Sequence, residues 1–184
     1  MPAGFGTLRQ EDVSVNVQLL GVAVRALPLD ESVLRVLSPD SYRALRDLAR
    51  SRQGAIDAVA RRYGVVRPAL WYVQFFGVQQ GEARFSPLDV VISSAGRDFR
   101  PLDVVSVTPG FGEGRIMQRQ TQAAIYVFDG GLDPNQPLTF SFQTARDDSW
   151  ATTLRRIESE RTLARARAAA ASGTRTDSTR RTPR

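Results

Sequence analysis

The chain contains no cysteine, no histidine and no lysine, and all 25 of its basic residues are arginine. Without cysteine there is no disulfide, and without cysteine or histidine there is no thiolate- or imidazole-bound zinc. Ser-His-Asp and Cys-His nucleophile systems are excluded, as are Schiff-base lysines and the lysine of a phosphate-binding P-loop. Any chemistry is left to carboxylates, hydroxyls, tyrosine and arginine. No run of about 18 apolar residues occurs, so no segment reads as a membrane-spanning helix. The opening MPAGFGTLRQED lacks the basic and apolar regions of a signal peptide, so from Met1 the chain reads as cytoplasmic. Its Gly-rich lead nevertheless runs straight into a strand, as mature secreted domains do. A signal or lipoprotein leader upstream of Met1, and with it a periplasmic or envelope location, is therefore the expectation.

What is present is an ordinary globular composition. Of 184 residues, 42% are hydrophobic and 24% charged, enough for one core without covalent staples. The charge is unevenly placed. Residues 1–148 are net neutral, and the whole excess of +6 lies in residues 149–184. The basic balance therefore describes a C-terminal segment rather than a basic domain.

Strands dominate the hydrophobic patterning. Val13, Val15, Val17 and Leu19 alternate with polar residues, and the apolar parity then shifts to Val22, Val24 and Ala26. That shift predicts a bulge at Leu20-Gly21. Helix follows. Asp30 caps a short turn. Ser38-Pro39-Asp40 then starts a helix near 39–63, with a three-and-four stripe of Tyr42, Leu45, Leu48, Ile56, Val59 and Tyr63, weakened at Gly54 and ended by Gly64. From Ala69 onward the chain reads β: residues 69–78, two copies of PLDVV at 87–91 and 101–105 joined through turn residues 94–98, then 122–128 and 138–142. A C-terminal helix near 148–171, capped by Asp147 or Asp148, carries the stripe Trp150, Leu154, Ile157 and Arg161 or Ala164. After Ser172 the composition cannot bury enough apolar surface to order a chain, so 173–184 is expected to be disordered.

The implied class is mainly β (α+β). It is an antiparallel β-sandwich over 1–148 with a helical insertion at 31–63, then a helix over 149–172 and an Arg-rich tail. The pattern is similar to an immunoglobulin-like sandwich. It lacks the Cys…Trp…Cys signature, so the resemblance implies architecture and no activity.

Each candidate constellation has a simpler competitor. Gly110-Phe-Gly-Glu-Gly114 is rich enough in glycine to cradle phosphate, but it leads toward a strand, not a helix N-terminus. Asp129, Asp133 and Asn135 are the candidate oxygen ligands for a metal. They lack EF-hand spacing, and turn chemistry accounts for them. Asp89 with Asp103, or Glu82 with Glu113, are the carboxylate pairs a glycan-directed enzyme would use. Trp71, Tyr72, Phe75 and Phe76 are spaced as a strand core or, if one face is open, a stacking platform. Arg155, Arg156, Arg161, Arg165 and Arg167, with Trp150, are the partner-binding candidates. Their charge suits nonspecific polyanions or anionic lipid surfaces. No aromatic or amide residue is interleaved with them to read bases, so no specific nucleic acid is expected. No cofactor and no catalytic set emerges. The expected function is a non-catalytic envelope module or accessory subunit acting through protein contacts, with a cytoplasmic polyanion-binding protein as the alternative and a carboxylate-based glycan-directed enzyme third.

Overall fold

The computed structural model describes residues 2–178. Val15–Leu19 (β1) and Val22–Pro28 (β2) pair antiparallel with Leu19 opposite Val22. The expected bulge is thus a hairpin turn, with Gly21 at φ +86°. The parity shift had this cause: residues directly opposite share a face, and a two-residue turn joins an odd-numbered apolar set to an even-numbered one.

Three helices link β2 to the next strand: Glu31–Leu34 (α1), Pro39–Ser51 (α2) and Gln53–Tyr63 (α3). The Asp30 side chain caps α1 by accepting from Ser32 N at 2.8 Å. Pro39 opens α2, but Ser38 makes no capping bond and turns its hydroxyl to Ser41 instead. The single helix expected over 39–63 is broken at Arg52 (φ −108°, ψ 3°), two residues before Gly54. The Arg52 guanidinium reaches Val107 O at 3.2 Å, a tertiary bond that no local pattern announces. Gly64 terminates α3 in the left-handed conformation that glycine adopts without cost.

The remaining strands are Ala69–Gly77 (β3), Glu82–Arg84 (β4), Val90–Ser94 (β5), Arg97–Phe99 (β6), Asp103–Ser106 (β7), Arg115–Met117 (β8), Thr121–Phe128 (β9), Leu138–Phe142 (β10) and Ala145–Asp147 (β11). They form a five-stranded antiparallel sheet β1-β2-β3-β9-β7, a four-stranded antiparallel sheet β11-β10-β5-β6 and a short β4-β8 ribbon. The two PLDVV copies part company. One feeds β5 in the smaller sheet and the other β7 in the larger.

One face of the larger sheet carries Val24, Val73, Phe75 and Tyr126, set against Ile92, Phe140 and Phe142 of the smaller sheet. Phe75 and Phe142 meet edge-on at 5.4 Å. On the opposite face α3 lies against β7 and β9, burying Ile56 and Val59. The result is an α+β sandwich of antiparallel sheets with helices on the outside.

Trp150–Ser178 (α4) packs on β10 and on the 3-10 turn Gln10–Val13. Trp150 and Ile157 belong to the same apolar cluster as both sheets. The buried positions are Trp150, Thr153, Ile157, Glu160 and Ala164. This corrects the expected stripe: Leu154 and Arg161 are only half-buried, and Thr153 and Glu160 take their places. The helix continues to Ser178, through the expected boundary at 172. The rest of the expected tail, residues 179–184, lies outside the described residues.

Candidate partner-binding groove beside the C-terminal helix

The arginines of α4 do not share one role. Arg155 is exposed and, among the described residues, bonds within its own turn, to Thr152 Oγ1 at 3.0 Å. Arg156 donates to Asp12 O at 3.2 Å and pairs with the Asp12 carboxylate at 3.5 Å. Arg161 lies nearly flat on the protein, its side chain 13% exposed. Its Nε and Nη2 both donate to Ser32 O, Nη2 also to Asn135 Oδ1 at 2.7 Å, and Nη1 to Glu158. Arg167 donates to Phe5 O and to the Glu160 carboxylate, both at 2.7 Å. Arg165 is exposed, and its guanidinium has no partner among the described residues.

Glu160 is the feature that composition conceals. It is 5% exposed and accepts from Thr7 N and Thr7 Oγ1, each at 2.9 Å, as well as from Arg167. Burial alone would penalise its charge; the bonds from Arg167 and Thr7 outweigh that and hold its carboxyl below the usual carboxylate range. This cluster ties the N-terminal segment to α4. The same segment is held on its other side by Leu8, whose N donates to Val36 O and whose O accepts from Ser38 N. Gly6 is required where the segment crosses Val36, because a Cβ there would lie 2.2 Å from the Val36 carbonyl.

Residues 161 and 165 are one turn apart on one face of α4, opposite α1. Between the two helices is a groove of about 450 Å³, lined by Glu31, Ser32, Arg35, Glu158, Arg161 and Arg165. Its carboxylates are already engaged. Glu31 accepts from Arg35 Nε at 2.8 Å and from Tyr42 OH at 3.3 Å, and Glu158 from Arg161. The hydrogen bond and charge of Glu31 push the Arg35 guanidinium further toward its charged form. Sequence reasoning found Arg161 and Arg165 but missed Arg35, Glu160, Thr7 and the acceptor role of Asn135. The three-and-four spacing running back from Ala164 passes through Glu160, a signal legible in the chain itself.

The other candidates are placed as follows. Trp150 is wholly buried, its indole N–H donating to Pro134 O at 2.9 Å, so it anchors the helix internally and presents no surface to a partner. Asp129 Oδ1 accepts from Gly131 N and Asp133 Oδ1 from Asn135 N, both turn-closing bonds at 2.8 Å. Asn135 Oδ1 accepts from Arg161, so the three oxygens serve separate partners. Asp89 and Asp103 are apart, the first bonded to Gln143 and the second to Arg62 at 3.0 Å. Glu82 and Glu113 do share a pocket of about 320 Å³, with Arg115 between them. Arg115 lies 2.9 Å from Glu113 and 3.9 Å from Glu82. Trp71 and Phe75 are core, and Tyr72 and Phe76 are half-buried on the opposite face with Arg25 over the Phe76 ring. The glycine loop is a 3-10 turn that inserts Phe111 into the core and leads into β8. No protein-family model, curated protein or solved structure matches the chain.

Proposed function

We propose that this protein is a non-catalytic module of a bacterial envelope protein or an accessory subunit of a larger assembly, and that α4 is its contact element. One observation carries the reading. The proximal half of α4 is fixed in the core through Trp150, Ile157 and Ala164, whereas residues 169–172 are exposed on all sides. At about 1.5 Å per residue, residues 165–172 carry the helix roughly 12 Å beyond Ala164. A helix anchored in the core and exposed over its next turns is pre-organised for a partner, because little ordering entropy remains to be lost on binding. The immunoglobulin-like comparison enters at this level only: two antiparallel sheets across one apolar core, used as a scaffold rather than as a reaction site. The envelope location belongs to the same proposal.

A carboxylate-based, glycan-directed enzyme has one observation in its favour, the shared pocket of Glu82 and Glu113. Arg115 weighs against it, since both of its donated bonds fall on Glu113 Oε2 and tie up one oxygen of the pair. The polyanion reading loses ground because Arg156, Arg161 and Arg167 are spent inside the molecule.

The test is photocrosslinking in the native cell, with benzoylphenylalanine at 166, 169 or, as a control on a distant exposed loop, 88. Discrete protein adducts from 166 and 169 but not from 88 are expected. Adducts from none of these positions, or equally from all three, would overturn the reading.

A further inference from the structure

We propose that the groove between α1 and α4 receives a short acidic peptide segment of the partner, its carboxylates meeting Arg165. This rests on the reading of α4 as the contact element and names the chemistry that the element recognises.

Three features of the groove point to a peptide with carboxylates. The first is the electrostatic balance. Three guanidiniums, from Arg35, Arg161 and Arg165, face two carboxylates, from Glu31 and Glu158. Each carboxylate already holds one guanidinium, Glu31 that of Arg35 and Glu158 that of Arg161. The charge left over is that of Arg165. The second is rigidity. Four donated bonds pin Arg161 to Ser32, Asn135 and Glu158, so the floor of the groove does not reorganise on binding. The third is the acceptor content of the rim. Glu31 and Glu158 keep lone pairs beyond the bonds they accept from Arg35, Tyr42 and Arg161. A peptide brings backbone N–H donors together with its carboxylates and satisfies both kinds of group. A phosphodiester backbone brings no such donors, and its continuous negative charge would run against Glu31 and Glu158. No aromatic residue lines the groove to stack a base.

The experiment uses the full chain and a fluorescein-labelled Glu-Asp hexapeptide, read by anisotropy at physiological salt. Arg165→Ala and Arg155→Ala remove the same charge from the same helix, but only residue 165 lines the groove. Both side chains are exposed, so neither change should disturb folding, and thermal unfolding of each variant checks this. Saturable binding is expected, weakened about fivefold or more by R165A and less than about twofold by R155A. A chain ending at residue 172 should bind as the parent does. Four results would overturn the proposal: no saturable binding, equal losses from both variants, loss of binding on removal of 173–184, or tighter binding of an RNA or polyphosphate of matched charge by the chain ending at residue 172 at the same salt. If the crosslinks from 166 and 169 form in cells while the peptide fails to bind, α4 remains the contact element and only the acidic segment is wrong.

Discussion

The indole rings of Trp71 and Trp150 lie with centroids 5.7 Å apart and planes inclined at 53°, both side chains essentially removed from solvent. Trp71 belongs to the central strand of the larger sheet and Trp150 opens α4. Their contact joins the C-terminal helix to the sandwich as part of its core, and the bond from the Trp150 indole to Pro134 O fixes the ring's orientation.

Trp150→Ala should therefore cost about 3–5 kcal/mol, the size expected for emptying a fully buried indole site. Denaturant unfolding measures it. A variant as stable as the parent would mean that α4 folds independently of the sheets.

Glu160→Gln should cost about 1.5–3 kcal/mol, because the charge-assisted bond from Arg167 is lost. The pH dependence has a definite sign. The folded protein holds this carboxyl below its ordinary value, so its contribution is complete above the usual carboxylate range near about 4.3 and is lost as pH falls through the depressed value. The difference between parent and variant should shrink as the pH is taken down through that window. A difference that grew on acidification would contradict the assignment.

Two glycines should respond in opposite directions. At Gly54, in α3, an added Cβ meets nothing within 4 Å, so Gly54→Ala should stabilise by about 0.5–1 kcal/mol. At Gly77 the Cβ would lie 2.1 Å from Met117 O, and Gly77→Ala should destabilise by about 1–3 kcal/mol. Matched thermal melts compare the pair.

Removal of residues 173–184 should leave the unfolding midpoint where it is, since residues 169–172, which precede the cut, are already exposed and the nearest buried side chain before it is Ala164. A fall of several degrees, the size of about 1 kcal/mol in a domain like this, would show that the segment supports the fold.

The same truncation should abolish most nonspecific nucleic-acid binding and flatten its salt dependence, because four of the five arginines at 155–167 are already paired or bonded within the molecule. A salt titration with several oligonucleotides decides this. The cut belongs after 172 rather than after 148, since the shorter chain would lose Trp150 from the core.

Local physics settled a good deal. Alternation of Val15, Val17 and Leu19 defines a strand with one wet face, Asp30 and Gly64 bound helices through their side-chain and backbone preferences, and Trp150 heads an apolar stripe. These are properties of a few neighbouring residues and survive in any fold. What the chain could not reveal depends on residues far apart in it. At the break in the helix, the Arg52 guanidinium finds the carbonyl of Val107, which is 55 positions away in the chain. The identical PLDVV segments enter different sheets because pairing is decided by strand partners, not by the segment itself. Glu160 is buried because Thr7 and Arg167 arrive to satisfy it, and without them the same glutamate would belong on the wet face. The groove exists only where α1, set by the β2–β3 crossover, comes to lie beside α4. A residue's type limits which bonds it can make, but only the tertiary structure brings the partner within reach.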